Sequence, residues 1–161
     1  MKQVNKTQSI MLTVLMAFFL MPIAASAQSS GATIDLSDEV TTTGDGWTYA
    51  ANVFTIDGTF PVTITGTTTT SSVVVSGNAN ITLNNACIDL RSINYSATAI
   101  NLLSYTVTLT LLGDNILWGR GSYGTIRTTG DLTFSENSTG TLYQNKTSYN
   151  TDALYRQRRG Y

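Results

Sequence analysis

Two sets of side chains in this sequence recur at a common spacing and could do chemistry together. Asp89 and Asp114 lie 25 residues apart, with Asn115 beside the second. Ile93, Trp118 and Tyr143 also step by 25, and so do Tyr95, Arg120 and Asn145. Neighbouring carboxylates repel unless a cation or an amide intervenes, and calcium takes about six to eight oxygens. Asp89, Asp114 and Asn115 are therefore a candidate calcium set, with solvated turn residues as the plainer alternative. The aromatic column is either interior packing or a flat platform for sugar rings. In the second case Trp118, Tyr143 and Tyr95 offer apolar faces, and Arg120 and Asn145 hydrogen-bond hydroxyls or pair a uronic carboxylate.

Other chemistry is excluded by composition. The 161 residues contain no histidine, which removes Ser-His-Asp and Cys-His nucleophiles, histidine bases and histidine metal ligands. The stretch GRGSYG at 119–124 has glycines but no strand–helix context for a phosphate loop. Lys146 and Arg120 are the bases a calcium-dependent polysaccharide lyase would use, yet no cluster surrounds them. The single cysteine, Cys87, can form no internal disulfide, and the local alternation points it outward as a small filler.

The elements that must carry these residues are short strands. VVVSGNANITLNNACIDL, residues 73–90, contains three period-two apolar runs separated by Gly-Asn and Asn-Asn. A second copy runs from Ile100 to Leu117 and a fainter third from Ile126 to Tyr143. Aligning the central strands on Ile81, Val107 and Leu132 gives spacings of 26 and 25, with Val62 opening a shorter turn 19 residues before Ile81. Fixed-period repeats without helices predict a β-solenoid, a right-handed parallel β-helix of about four coils with 25–26 residues per coil. An antiparallel β-sandwich is the alternative, but it gives no reason for the constant register.

The order GWTYAANVFTIDGTFPVTITGTTTTSSVVVSGNANITLNNACIDL, then VTLTL with a following Gly-Asp-Asn, then TTGDLTFSENSTGTL, resembles secreted carbohydrate-binding β-helix proteins of gut Bacteroidetes. More remotely it is similar to a clostridial cellulose- and pectate-binding β-helix family. The resemblance covers residues 46–150 and carries no catalytic signature. It implies a non-catalytic module with a plant or mucosal polysaccharide as partner.

The flanks complete the expected organisation. Lys2 and Lys6, the apolar run from Ile10 to Ile23 and the small-residue exit Ala25-Ser26-Ala27 predict a cleaved signal peptide over 1–27. That run is short for a membrane span, so none is expected after cleavage, and the location is secreted, cell-surface or periplasmic. Cleavage leaves seven basic against ten acidic residues, a net charge of −3 with no basic patch, which argues against nucleic acid. Residues 28–60 read as an N-terminal cap, with Trp47 and Phe54 covering the core beside an Ala50-Ala51-Asn52 turn. Coils are expected over 61–150, with TGTTTTSS (65–72) as a turn and edge segment. Residues 151–161 form a basic tail with Arg156, Arg158 and Arg159, read as the product of a truncated frame in preference to a short cap. An open last coil predicts self-association, because unpaired strand edges recruit other chains. The function expected is carbohydrate binding or adhesion without catalysis. A scaffold without its own ligand and a lyase are the rivals.

Overall fold

The computed structural model describes residues 32–121 and 124–144. The expected leader, the basic tail, Asn145 and Lys146 lie outside the described residues.

Every named element is a strand. The chain begins with β1 (Ala32–Asp35), β2 (Thr43–Gly44) and β3 (Trp47–Ala50). Four coils of three strands follow. They are β4 (Val53–Ile56), β5 (Val62–Thr65) and β6 (Thr67–Thr68); β7 (Ser72–Val75), β8 (Ala79–Asn84) and β9 (Cys87–Asp89); β10 (Ile100–Leu103), β11 (Val107–Leu112) and β12 (Asp114–Trp118); and β13 (Ile126–Thr128), β14 (Leu132–Phe134) and β15 (Thr141–Gln144). Each coil contributes one strand to each of three sheets. The first is β1-β5-β8-β11-β14, the second β13-β10-β7-β4-β3-β2 and the third β15-β12-β9-β6. Strands of successive coils pair in parallel, and among the strand pairs only β2–β3 and β3–β4 are antiparallel; Ala97 and Arg120 add one isolated antiparallel bridge. This is a parallel β-helix, and the sandwich alternative is overturned.

The period-two pattern works as expected. On β8 and β11 alternate residues are buried, and Ile81, Leu83, Val107 and Leu109 all face inward. Parallel stacking puts like positions above one another, so the core consists of columns. Phe54, Val73, Ile100 and Ile126 form one, and Ile64, Leu83 and Leu111 another. Burying each such aliphatic side chain contributes about 1.5–3 kcal/mol.

In the first sheet the register differs from the expectation by two residues at one step. Val107 faces Leu132 as predicted, but its partner on the other side is Ala79, and Ile81 instead faces Leu109. Val62 does face Ile81. A slip of two keeps every side chain on the same face of the sheet, so alternation alone cannot detect it. The added length sits in the segment 90–99 between β9 and β10.

The N-terminal end is closed by aromatic packing. β3 and β4 form a hairpin whose turn, Ala51-Asn52, has φ of 50° and 62°. Positive φ at both central residues suits the right-handed twist of the strands it joins. Trp47 and Tyr49 flank Phe54, with ring centroids 5.9 and 4.4 Å away. β1 pairs in parallel with β5, so part of the stretch read as a cap already belongs to the solenoid sheet. TGTTTTSS supplies β6 at the edge of the third sheet, as predicted. Beside it Glu39 accepts hydrogen bonds from Thr70 Oγ1 (2.6 Å) and Ser71 Oγ (2.8 Å), and Ser71 Oγ lies 3.1 Å from the Tyr49 hydroxyl. The Glu39 carboxylate is thus tied across 32 residues of sequence to a fully buried serine.

Candidate functional site

Of the sequence-predicted residues, Asp89, Asp114, Trp118 and Tyr143 lie on the outer face of the third sheet, in an arrangement other than the one expected. On β12 the inward residues are Asn115 and Leu117, so Asp114, Ile116 and Trp118 face outward. Register then sets two outward columns. Thr67, Cys87, Ile116 and Tyr143 form the first, and Asp89 with Trp118 forms the second. Trp118 therefore stacks on Asp89, where Ile93 was expected, and Tyr143 stacks on Ile116. Trp118 and Tyr143 remain on adjacent strands as diagonal neighbours, about 7–8 Å apart in such a sheet.

Trp118 is not a bare platform. The Arg91 guanidinium carbon lies 3.4 Å from the indole centroid. Arg91 is held there by a two-pronged pairing with Asp89, with Nε to Oδ1 and Nη2 to Oδ2 both 2.8 Å. These bonds hold the Asp89 carboxyl below the ordinary aspartate range and raise Arg91 further. Arg91 is 51% exposed and Asp89 23%, so solvent screens the ion pair and it adds little to stability. Arg120 donates from Nη1 to the Arg91 carbonyl at 2.8 Å and pairs with Ala97 through two backbone hydrogen bonds of 2.7 and 2.8 Å. Tyr95, 62% exposed, belongs to the same 90–99 segment. Trp118, Arg120 and Tyr95 are thus gathered around one loop. Tyr143, 57% exposed, stands on the next coil. Asn145 lies outside the described residues.

Arg91 was missed in the sequence. The signal was present, since positions 89 and 91 share a face on an extended chain and the next coil brings an indole over them. The 25-residue spacing obscured it, because Asp89 and Trp118 are 29 apart.

The calcium set does not come together. Asp89 is engaged by Arg91, whereas Asp114 is level with Thr141, whose hydroxyl donates to it at 2.6 Å. Asn115 is fully buried and structural. Its Oδ1 accepts from the Ala86 N–H (3.0 Å), and its Nδ2 donates to the carbonyls of Leu112 and Thr141 (both 3.1 Å). One amide thereby ties three coils at a turn. Among the described residues no group of three or more acidic, cysteine or histidine side chains could hold a metal ion.

Cys87 faces outward as predicted and is half-buried. Burial, with Asp89 nearby, raises its pKa, so the thiol stays protonated and unreactive at neutral pH. No described helix is long and apolar enough to cross a membrane.

Comparison with known proteins gives no matching family model, no matching curated protein and no matching solved structure.

Proposed function

We propose that this β-helix is an exported, non-catalytic carbohydrate-binding module that lays a polysaccharide chain across the outer face of its third sheet. The observation that carries the reading is Tyr143, an open aromatic ring in register with the half-buried Ile116 and diagonal to the Asp89–Arg91–Trp118 stack. Sugar rings present C–H faces that pack on flat apolar surfaces without needing charge. Coils repeat every ~4.8 Å, close to the rise of one sugar along a chain. Tyr143 and Ile116 would take the apolar face of one unit, while Arg91 over the indole, Arg120 and Tyr95 would meet the hydroxyls of its neighbours. Such shallow contacts give millimolar to micromolar affinity, on the order of −4 to −8 kcal/mol.

Affinity electrophoresis against plant and mucosal polysaccharides tests this. Wild type should be retarded by at least one of them, without release of unsaturated products, and Tyr143→Ala should run unretarded at an unchanged melting temperature. Unsaturated products would indicate a lyase, and no retardation by any polymer would leave a bare scaffold. Self-association belongs to the same reading, since β13, β14 and β15 are each paired on one side only among the described residues. Light scattering should show an apparent mass that rises with concentration.

A further inference from the structure

We propose that the outer face of the first sheet is a second binding surface, and that its ligand is ice, a neutral lattice of ordered water. The face belongs to a different sheet from the polysaccharide site and does not rest on that reading.

Register builds the surface. Thr33, Thr63, Thr82 and Thr110 face one another across β1, β5, β8 and β11 and form one outward column. Asn80, Thr108 and Thr133 form a second across β8, β11 and β14. These side chains alternate along their strands with inward apolar residues, so they point away from the core. Strands of successive coils lie ~4.8 Å apart, and alternate residues of one strand lie about 6.6 Å apart. The two columns therefore make a grid that repeats in both directions.

Three observations select the occupant. The first is charge. Neither column holds a charged side chain, whereas an outward column of the second sheet runs Thr55, Val74, Asn101 and Arg127, and the third sheet shows Asp89 and Asp114 outside. An uncharged face complements a neutral partner. The second is unspent hydrogen bonding. At the turns, Thr41, Thr59, Thr70 and Thr141 donate their hydroxyls to carboxylates. The column threonines make no side-chain hydrogen bond among the described residues. Hydroxyls stacked at the coil spacing are too far apart to bond one another, so each can donate and accept outward. The third is order. A β-branched side chain has few χ1 rotamers, so the grid is set before any ligand arrives.

These features suit a partner that is itself periodic in two directions and both donates and accepts at every site. Ice has both properties, and its oxygen rows repeat at close to the coil spacing. The threonine methyl groups lie between the hydroxyls and leave neighbouring waters to bond one another. No aromatic ring stands in either column, so the flat apolar contact that sugar rings use is missing from this face.

Uptake of the full chain into a slowly growing ice shell tests the proposal, with recrystallisation of a frozen film as a second readout. Wild type should enter the ice and keep crystals small at concentrations where a globular control protein is excluded and has no effect. Thr82→Lys, in the middle of the first column, should be excluded as the control is, at an unchanged melting temperature. Thr108→Lys should do the same in the second column, and either variant that melts as wild type decides the matter. Thr55→Lys, outward on the second sheet, should enter the ice as wild type does. Exclusion of wild type overturns the proposal, as does uptake that survives in a folded Thr82→Lys or Thr108→Lys, or that is lost equally in Thr55→Lys. Retention on crystalline cellulose or chitin that Thr82→Lys removes would assign the face to a neutral polysaccharide. A concentration-dependent mass that Thr82→Lys abolishes would assign it to a second copy of the chain. Either result would refute ice as the ligand.

Discussion

The capped end and the outer face of the third sheet each hold one of the two tryptophans, and their surroundings could hardly differ more. Trp47 is 6% exposed, faces inward from β3 and packs on Phe54, and the space beside Gly44 is so filled by its indole that a Cβ there would collide with the ring. Trp118 faces outward from β12 and is half-buried, with Arg91 lying over it. Both belong to strands of alternating sequence. Whether an aromatic is core or surface is decided by parity along the strand, and what covers it is decided by the neighbouring coil.

The comparison makes unequal predictions. The largest is for Trp47→Ala, which should lower stability by about 3–5 kcal/mol because it opens a cavity at the end of the core. Trp118→Ala should cost about 1 kcal/mol or less, since it removes one surface cation–π contact. Chemical denaturation of the two variants measures both, and similar losses would erase the distinction between cap and face.

Asn115→Ala should fall between them. It leaves the Ala86 N–H and the Thr141 carbonyl without the amide that joins them, and an unsatisfied buried group costs about 1–3 kcal/mol. A neutral result in the same denaturation assay would mean that water replaces the amide and that the turn does not depend on it.

The smallest effect concerns pH at the capped end. Hydrogen bonds from Thr70 and Ser71 hold the Glu39 carboxyl below its ordinary range. A carboxyl depressed in the folded state stabilises it above the unfolded pKa, and that contribution is lost as pH falls through the folded value. Wild type should therefore lose melting temperature below about pH 4 more steeply than Glu39→Gln. Parallel acid profiles would show that Glu39 does not secure the cap. The Asp89–Arg91 pair titrates in the same direction on the outer face, so Asp89→Asn provides the matching control.

Much of this architecture was legible in the sequence, and the reasons for the rest are specific. Alternation at Val73–Val75 and Val107–Leu111 gave the strands and their buried sides, because burial on a pleated strand has a period of two. The repeat gave parallel stacking. The register between β8 and β11 was not legible, because a two-residue slip preserves every face and the segment 90–99 can absorb it. Between β9 and β12 the offset grows to four residues, which separates Asp89 from Asp114 and replaces Ile93 with Asp89 beneath Trp118. Asn115 resembled a ligand because an asparagine beside an aspartate at a turn resembles a calcium site, whereas its amide is spent on backbone. The positive φ at Leu103 left no mark, since nothing in leucine's neighbours announces it.

The central claim is that the outer face around Trp118 and Tyr143 meets polysaccharide while the cap around Trp47 does not. Tryptophan emission tests it most directly, because the chain has two indoles and each marks one region. In Trp47→Phe, whose remaining indole is Trp118, titration with a polysaccharide that retards wild type should give a saturable change in emission, and adding Tyr143→Ala should abolish it. In Trp118→Phe, the Trp47 signal should stay constant throughout the titration. A saturable change from Trp47, or a silent Trp118 while the polymer is bound, would contradict the account.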